Sequence, residues 1–107
     1  MELAFCTEEI RDICTLDNRA IDYLGAKAAA ALRNRLSDIR AADFIGDVLA
    51  GNLRQVVFHG VACCLIDLDE GCILTVACNQ PSPKTDQNGE VDWSKVRRVK
   101  VTSLGCP

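Results

Sequence analysis

The spacing of apolar residues changes once along the chain, and this change constrains the fold more than any other feature. Over residues 26–40 the apolar residues recur at helical spacing, with Leu32, Leu36 and Ile39 on one face. After Gly51-Asn52 the period falls to two, which is the spacing of strands. The helices therefore precede most of the strands, so we predict an α+β fold with helices packed on one face of an antiparallel sheet.

The local signals place a first strand ahead of a helical hairpin. Thr7 is a suitable N-cap, and Glu8 and Glu9 follow it in the first turn of a helix, where acidic residues are favoured. A second helix spans 26–40, and residues 41–50 suit one further helical turn. A polar loop over 80–92 precedes the last strand. The predicted strands are residues 2–6, 53–58, 61–68, 72–78 and 96–102.

Length and charge exclude several classes of protein. The 107 residues predict a single domain, 1–107, and 49% hydrophobic with 25% charged residues is typical of a chain that folds. No apolar run approaches the roughly 18 residues of a membrane span, and no targeting signal opens the chain, so we expect a cytoplasmic protein. The net charge of −3 argues against general attraction to nucleic acid, but leaves a local basic patch open.

The seven cysteines show no recognisable pattern. Their number is odd and no C-x-x-C is present, so we do not expect a disulfide framework. The candidate zinc ligands have spacings that match no familiar zinc-binding motif, so we predict no metal site; they are His59, Cys63, Cys64, Cys72 and Cys78. Small buried hydrophobic residues are the favoured interpretation of the cysteines.

Several segments in order resemble the RelE/ParE toxin superfamily, and most closely its HigB-like branch of plasmid maintenance killer proteins. The resemblance covers nearly the whole chain, although no single segment is specific. The matching segments are MELAFCT (1–7), LGAKAA (24–29), LRNRL (32–36), FHG (58–60), IDL (66–68), GEVDWSKV (89–96) and LG (104–105).

The resemblance implies a RelE-like fold and the toxin of a type II toxin–antitoxin system. Such a toxin is an mRNA endoribonuclease that inhibits translation, commonly on the ribosome, and a cognate antitoxin neutralises it. The ribose 2′-hydroxyl attacks the adjacent phosphate, which needs a base, an acid and a cation but no metal or other cofactor. The residues carried over are His59, Arg98 and Lys100 for catalysis, and Arg54 and Arg97 for RNA binding.

Other positions depart from the family pattern. Ile73 stands where the family has an arginine that is a major catalytic cation, and Cys106-Pro107 stand where an aromatic–histidine pair is expected. A second interpretation therefore stays open, in which the chain is a non-catalytic binding module or a homodimer that acts through an apolar face of its sheet. A third is a ParE-like toxin that binds gyrase.

Strand alternation divides the central hairpin into two faces, and both are apolar. Cys64, Ile66, Leu68, Cys72, Leu74 and Val76 form the expected core face. Val61, Cys63, Leu65 and Ile73 lie on the opposite face, which we predict to bind a partner. Because a sheet that is apolar on both faces is normally covered on both, segment 41–50, the long loop or a partner chain should lie there.

Overall fold

The chain forms three helices and one five-stranded sheet in the computed structural model, which describes residues 1–81 and 83–106 apart from the side chain of Glu70. The predicted α+β class is thereby confirmed. The helices are α1 (Glu8–Thr15), α2 (Asp17–Leu24) and α3 (Ala26–Ala41), and the strands are β1 (Glu2–Phe5), β2 (Arg54–Phe58), β3 (Val61–Asp67), β4 (Ile73–Cys78) and β5 (Arg98–Gly105).

The predicted helical hairpin is wrong in the number of helices. Thr7 caps α1 as expected, since its hydroxyl oxygen accepts the N–H of Ile10 at 3.1 Å. Leu16 then adopts an extended conformation, and Asp17 begins α2, where its charge suits the first turn. Gly25 separates α2 from α3 with a φ of 86°, which glycine adopts easily.

The sheet is mixed rather than antiparallel. Its strand order is β1-β5-β4-β3-β2, and β1 pairs in parallel with β5, matching Glu2 to Arg98 and Phe5 to Val101. The other three pairs are antiparallel, and two of them, β2 with β3 and β3 with β4, are joined by the short connections typical of hairpins. A parallel pair needs a long crossover, which the helices and the rest of the sheet supply between β1 and β5.

A β-bulge changes which residues of β5 face the core. Thr75 lies opposite Ser103, whereas the next residue, Val76, lies opposite Val101, so Thr102 is an extra residue. Leu104 is buried as a result. Ser103, rather than Thr102, therefore continues the face of Lys100 beside β4.

The hydrophobic core lies between the helices and one face of the sheet. The predicted core face is confirmed, with Cys64, Ile66, Leu74 and Val76 fully buried. They belong to one cluster with helical residues such as Leu32. This single core fixes which side of the sheet the helices occupy.

The two segments expected to cover the other face lie on the helix side instead. Residues 41–50 form only a short 3-10 turn, Ile45–Asp47, and Ile45 is buried in the core cluster, with its N–H donating to Val96 at 3.0 Å. Trp93, from the end of the long loop, is buried in the same cluster. Within the described residues, these segments leave the opposite sheet face without a second layer.

One disulfide was not expected from the sequence. Cys72 and Cys106 are joined, 34 residues apart, and the free cysteines Cys6, Cys14 and Cys78 are at least partly exposed. The register explains the bond. Ile73 lies opposite Gly105 in the antiparallel pair of β4 and β5, so the residue before Ile73 faces the residue after Gly105, and these two residues are the cysteines. Pro107 lies outside the described residues.

Helices long and apolar enough to cross a membrane are not found in the described part of the chain.

Candidate functional site

The face of the sheet that turns away from the helices is the candidate site, and we call it the open face. Cross-strand pairing places Arg54, Val56 and Phe58 of β2 beside Leu65, Cys63 and Val61 of β3, in that order. The pairs that continue the face across the sheet are Cys63 with Ala77, Leu65 with Thr75, Ala77 with Lys100, and Arg98 with Glu2.

The centre of the open face is apolar, as the sequence predicts. Val61 is 52% exposed and Phe58 49%, whereas Leu65 and Ile73 are half-buried. The small residues Cys63, Thr75 and Ala77 are buried although no second layer lies over them in the described structure. Between Phe58, Leu65 and Ile73 runs a shallow groove of about 350 Å³ that ends at Cys106.

Two of the predicted site cations are already paired with carboxylates. An Arg54 nitrogen lies 3.0 Å from an oxygen of Asp67, and Nε of Arg98 lies 3.1 Å from an oxygen of Glu2. Both pairs are substantially solvent-exposed, so each is weak and a phosphate can compete for the arginine. They nevertheless neutralise charge that an RNA-binding surface would present.

Lys100 is the open-face cation without such a neutralising contact. It is half-buried on β5 beside Ala4 and Ala77, and it makes no ion pair with any described residue. The open face therefore combines an apolar centre with one available positive charge next to it.

His59 lies at the tip of the β2–β3 hairpin rather than on the open face. Its φ of 49° and the 78° of Gly60 match a two-residue type I′ turn, in which both central residues need positive φ. The exposed side chain has no hydrogen-bonding partner among the described residues. The turn geometry accounts for the His59-Gly60 dipeptide without any catalytic role.

The structure does not bring the three predicted catalytic residues together. Val61 and Arg98 lie at the same level of the sheet two strands apart, so their Cα atoms are roughly 10 Å apart, and His59 lies beyond Val61. No hydrogen bond or ion pair of the described structure joins His59 to Arg98 or Lys100. The groups that would serve as base, acid and cation are therefore not linked to one another in this structure.

Arg97, predicted to contact RNA, lies apart from the open face. Its guanidinium sits 5.6 Å from the centre of the Phe44 ring, within cation–π range. Its backbone N–H donates to the side-chain oxygen of Gln80. Both contacts tie the segment that leads into β5 to the loops around it, which is a structural role.

Sequence reasoning missed the contribution of β2 to this face. Val56 and Phe58 extend the apolar surface of Val61 and Cys63 by one strand. The alternation of strand residues was visible in the sequence, since Arg54, Val56 and Phe58 alternate with Gln55 and Val57. Only the geometry of the hairpin turn shows that the first of these two groups lies on the open face.

Groups of three or more His, Cys, Asp or Glu side chains suited to a metal ion are not found in the described residues.

We expect thiol reagents to distinguish the free cysteines by burial. Desolvation raises the pKa of Cys14 to about 11 and that of Cys64 to about 12, with a smaller contribution to Cys64 from neighbouring Cys63. Both thiols therefore stay protonated and unreactive at pH 8. Exposed Cys6 should be alkylated by iodoacetamide first, as measured by peptide mass spectrometry of the native protein. Equal labelling of Cys6 and Cys64 before unfolding would contradict the described packing.

Comparison of the chain with models of protein families gives no match, and comparisons with curated proteins and with solved structures give no significant match either.

Proposed function

We propose that this protein is a non-catalytic binding protein with a RelE-like fold, and that it binds another polypeptide through the open face. The order of one strand, then helices, then the other four strands supports the RelE-like part of the proposal. The observation that carries the proposal is the apolar centre formed by Val61, Leu65 and Ile73, which lacks a second layer in the described structure.

The chemistry of this face defines the partner. A segment that fits would place apolar side chains over Leu65 and Ile73, and an acidic residue against Lys100, whose charge is available. A cognate antitoxin of the kind implied by the resemblance is the partner class we propose. The net charge of −3 and the two neutralised arginines favour such a segment over RNA.

The test is a peptide selection against the folded protein. A displayed library of random peptides, selected on the wild-type chain, should yield apolar sequences that contain an acidic residue. Leu65→Lys should weaken their binding by about tenfold or more, because it places a charge in the apolar centre. Asn18→Lys, which adds the same charge on the exposed surface of α2, is the matched control. Peptides that bind Leu65→Lys as tightly as the wild type would contradict the proposal.

The metal-independent endoribonuclease is the second candidate, because Arg98 and Lys100 lie two residues apart on the open face. Induction of the chain in bacteria tests it, with the triple variant His59→Ala, Arg98→Ala, Lys100→Ala for comparison. Growth arrest with mRNA cleavage by the parent alone would establish the nuclease and displace the binding protein. We expect neither protein to cleave mRNA.

A further inference from the structure

The outer edge of β2 is the most exposed apolar strand edge of the described structure. Val57 is 69% exposed, and β2 pairs with β3 alone. Natural proteins protect such edges with proline, lysine, a bulge or a covering segment. Proline, lysine and bulges are absent from Arg54–Phe58, and within the described residues no backbone hydrogen bond reaches the outer side of β2, although Gly89, Glu90 and Val91 line a groove beside Gln55 and Val57.

The opposite edge of the sheet is better protected. β1 begins with the charged and exposed Glu2, and the ammonium group of Met1 donates to the carbonyl oxygens of Arg40 and Ala42 at the end of α3. The contrast singles out β2 as an edge suited to pair with another strand.

The hairpin turn determines which backbone groups of β2 point outward. In a two-residue hairpin the residues that flank the turn, Phe58 and Val61, form a hydrogen-bonded pair. Hydrogen-bonded pairs alternate with non-bonded ones in an antiparallel ladder, so Val56 also bonds inward to Cys63. The N–H and C=O groups of Gln55 and Val57 therefore face solvent.

We propose that two copies of this chain form a symmetric dimer by antiparallel pairing of their β2 strands. A twofold axis through Val56 places Gln55 opposite Val57 of the second copy, and Val57 opposite the second Gln55. Each of these two pairs then forms two backbone hydrogen bonds through its outward groups. The same strand supplies both halves of the ladder, so a second copy satisfies the outward donors and acceptors of Gln55 and Val57 on both strands at once.

The charges along β2 agree with this register. Arg54, the only charged residue of the strand, lies opposite Phe58 of the second copy, so no like charges face each other. Asp67 already neutralises Arg54 at 3.0 Å, and a guanidinium over an aromatic ring is favourable. Pairing would join the two open faces into one ten-stranded surface, but it does not depend on what that surface binds.

Val57→Pro tests dimerisation without disrupting the fold of the monomer. Proline removes the outward N–H of residue 57, and that group has no partner among the described residues, so the monomer tolerates it. Sedimentation velocity should show a concentration-dependent dimer for the wild type and a dissociation constant raised about tenfold or more for Val57→Pro. Val57→Thr keeps the N–H and the β-branched shape, and should dimerise like the wild type. Circular dichroism checks that all three proteins are folded.

A charge pair tests the register. Phe58→Arg places two arginines opposite each other across the twofold axis, whereas Phe58→Glu places a carboxylate opposite Arg54. The two variants lose the same aromatic ring, so we expect Phe58→Glu to dimerise at least about threefold more tightly than Phe58→Arg. Equal dimerisation of the two variants would refute the register, and a wild type that stays monomeric up to about 1 mM would overturn the dimer itself. The peptide selection remains a separate measurement, so either proposal can fail alone.

Discussion

Replacing Cys106 with serine is expected to lower the free energy of unfolding by about 3–4 kcal/mol. The Cys72–Cys106 disulfide closes a loop with a sequence separation of 34, and opening it returns conformational entropy mainly to the unfolded chain. Cys106 is exposed, so its replacement leaves no cavity in the core, unlike replacement of the buried Cys72. Urea unfolding followed by circular dichroism measures the change.

A reductant provides the matching control for this prediction. Dithiothreitol should destabilise the wild type by nearly the same amount and leave Cys106→Ser unchanged, since the other cysteines described are free. Cys6→Ser, at an exposed free cysteine, should have the stability of the wild type. Identical unfolding of the wild type with and without reductant would show that the two cysteines are not joined in solution.

The local spacing of side chains was sufficient to predict the two faces of the sheet. Adjacent Cys63 and Cys64 were assigned to opposite faces by alternation alone, and only Cys64 belongs to the main core cluster. The helix start at Thr7 was equally predictable, because a cap acts on residues of its own first turn.

Features that depend on pairing between distant segments could not be predicted in this way. The disulfide requires that Ile73 lie opposite Gly105, and this register depends on the bulge at Thr102. The parallel placement of β1 beside β5 likewise joins the two ends of the chain. No short-range pattern reports either of these contacts.

Alternation predicted which apolar residues share the open face, whereas the catalytic roles were assigned by resemblance. Val61, Leu65 and Ile73 share the open face, as alternation required. His59 was assigned a role by resemblance, but its positive φ shows that the turn itself favours a residue tolerant of that conformation. Arg98 was also assigned by resemblance, and its nearest charged partner, Glu2, lies on a strand whose position the sequence did not reveal.

Gly51→Ala is expected to destabilise the protein by about 2–4 kcal/mol, the sum of a backbone cost and a packing cost. Gly51 has a φ of 88°, which disfavours every residue with a Cβ. A Cβ at this position would also overlap Cγ2 of buried Ile66 and lie 3.2 Å from the carbonyl oxygen of Asp67. The segment cannot move aside easily, because the carbonyl of Gly51 accepts the N–H of Asp67 at 2.6 Å.

Gly89→Ala separates the two costs of that substitution. Gly89 has a similar φ of 79°, but a Cβ there would have no neighbour within 4 Å. It should therefore lose only the backbone contribution of about 1–2 kcal/mol. Chemical denaturation of both variants gives the difference, which measures how tightly the end of β3 is held against the segment that precedes β2. If the two substitutions cost the same, Gly51 is required for its backbone conformation alone, and the close contact with Ile66 does not restrain the protein in solution.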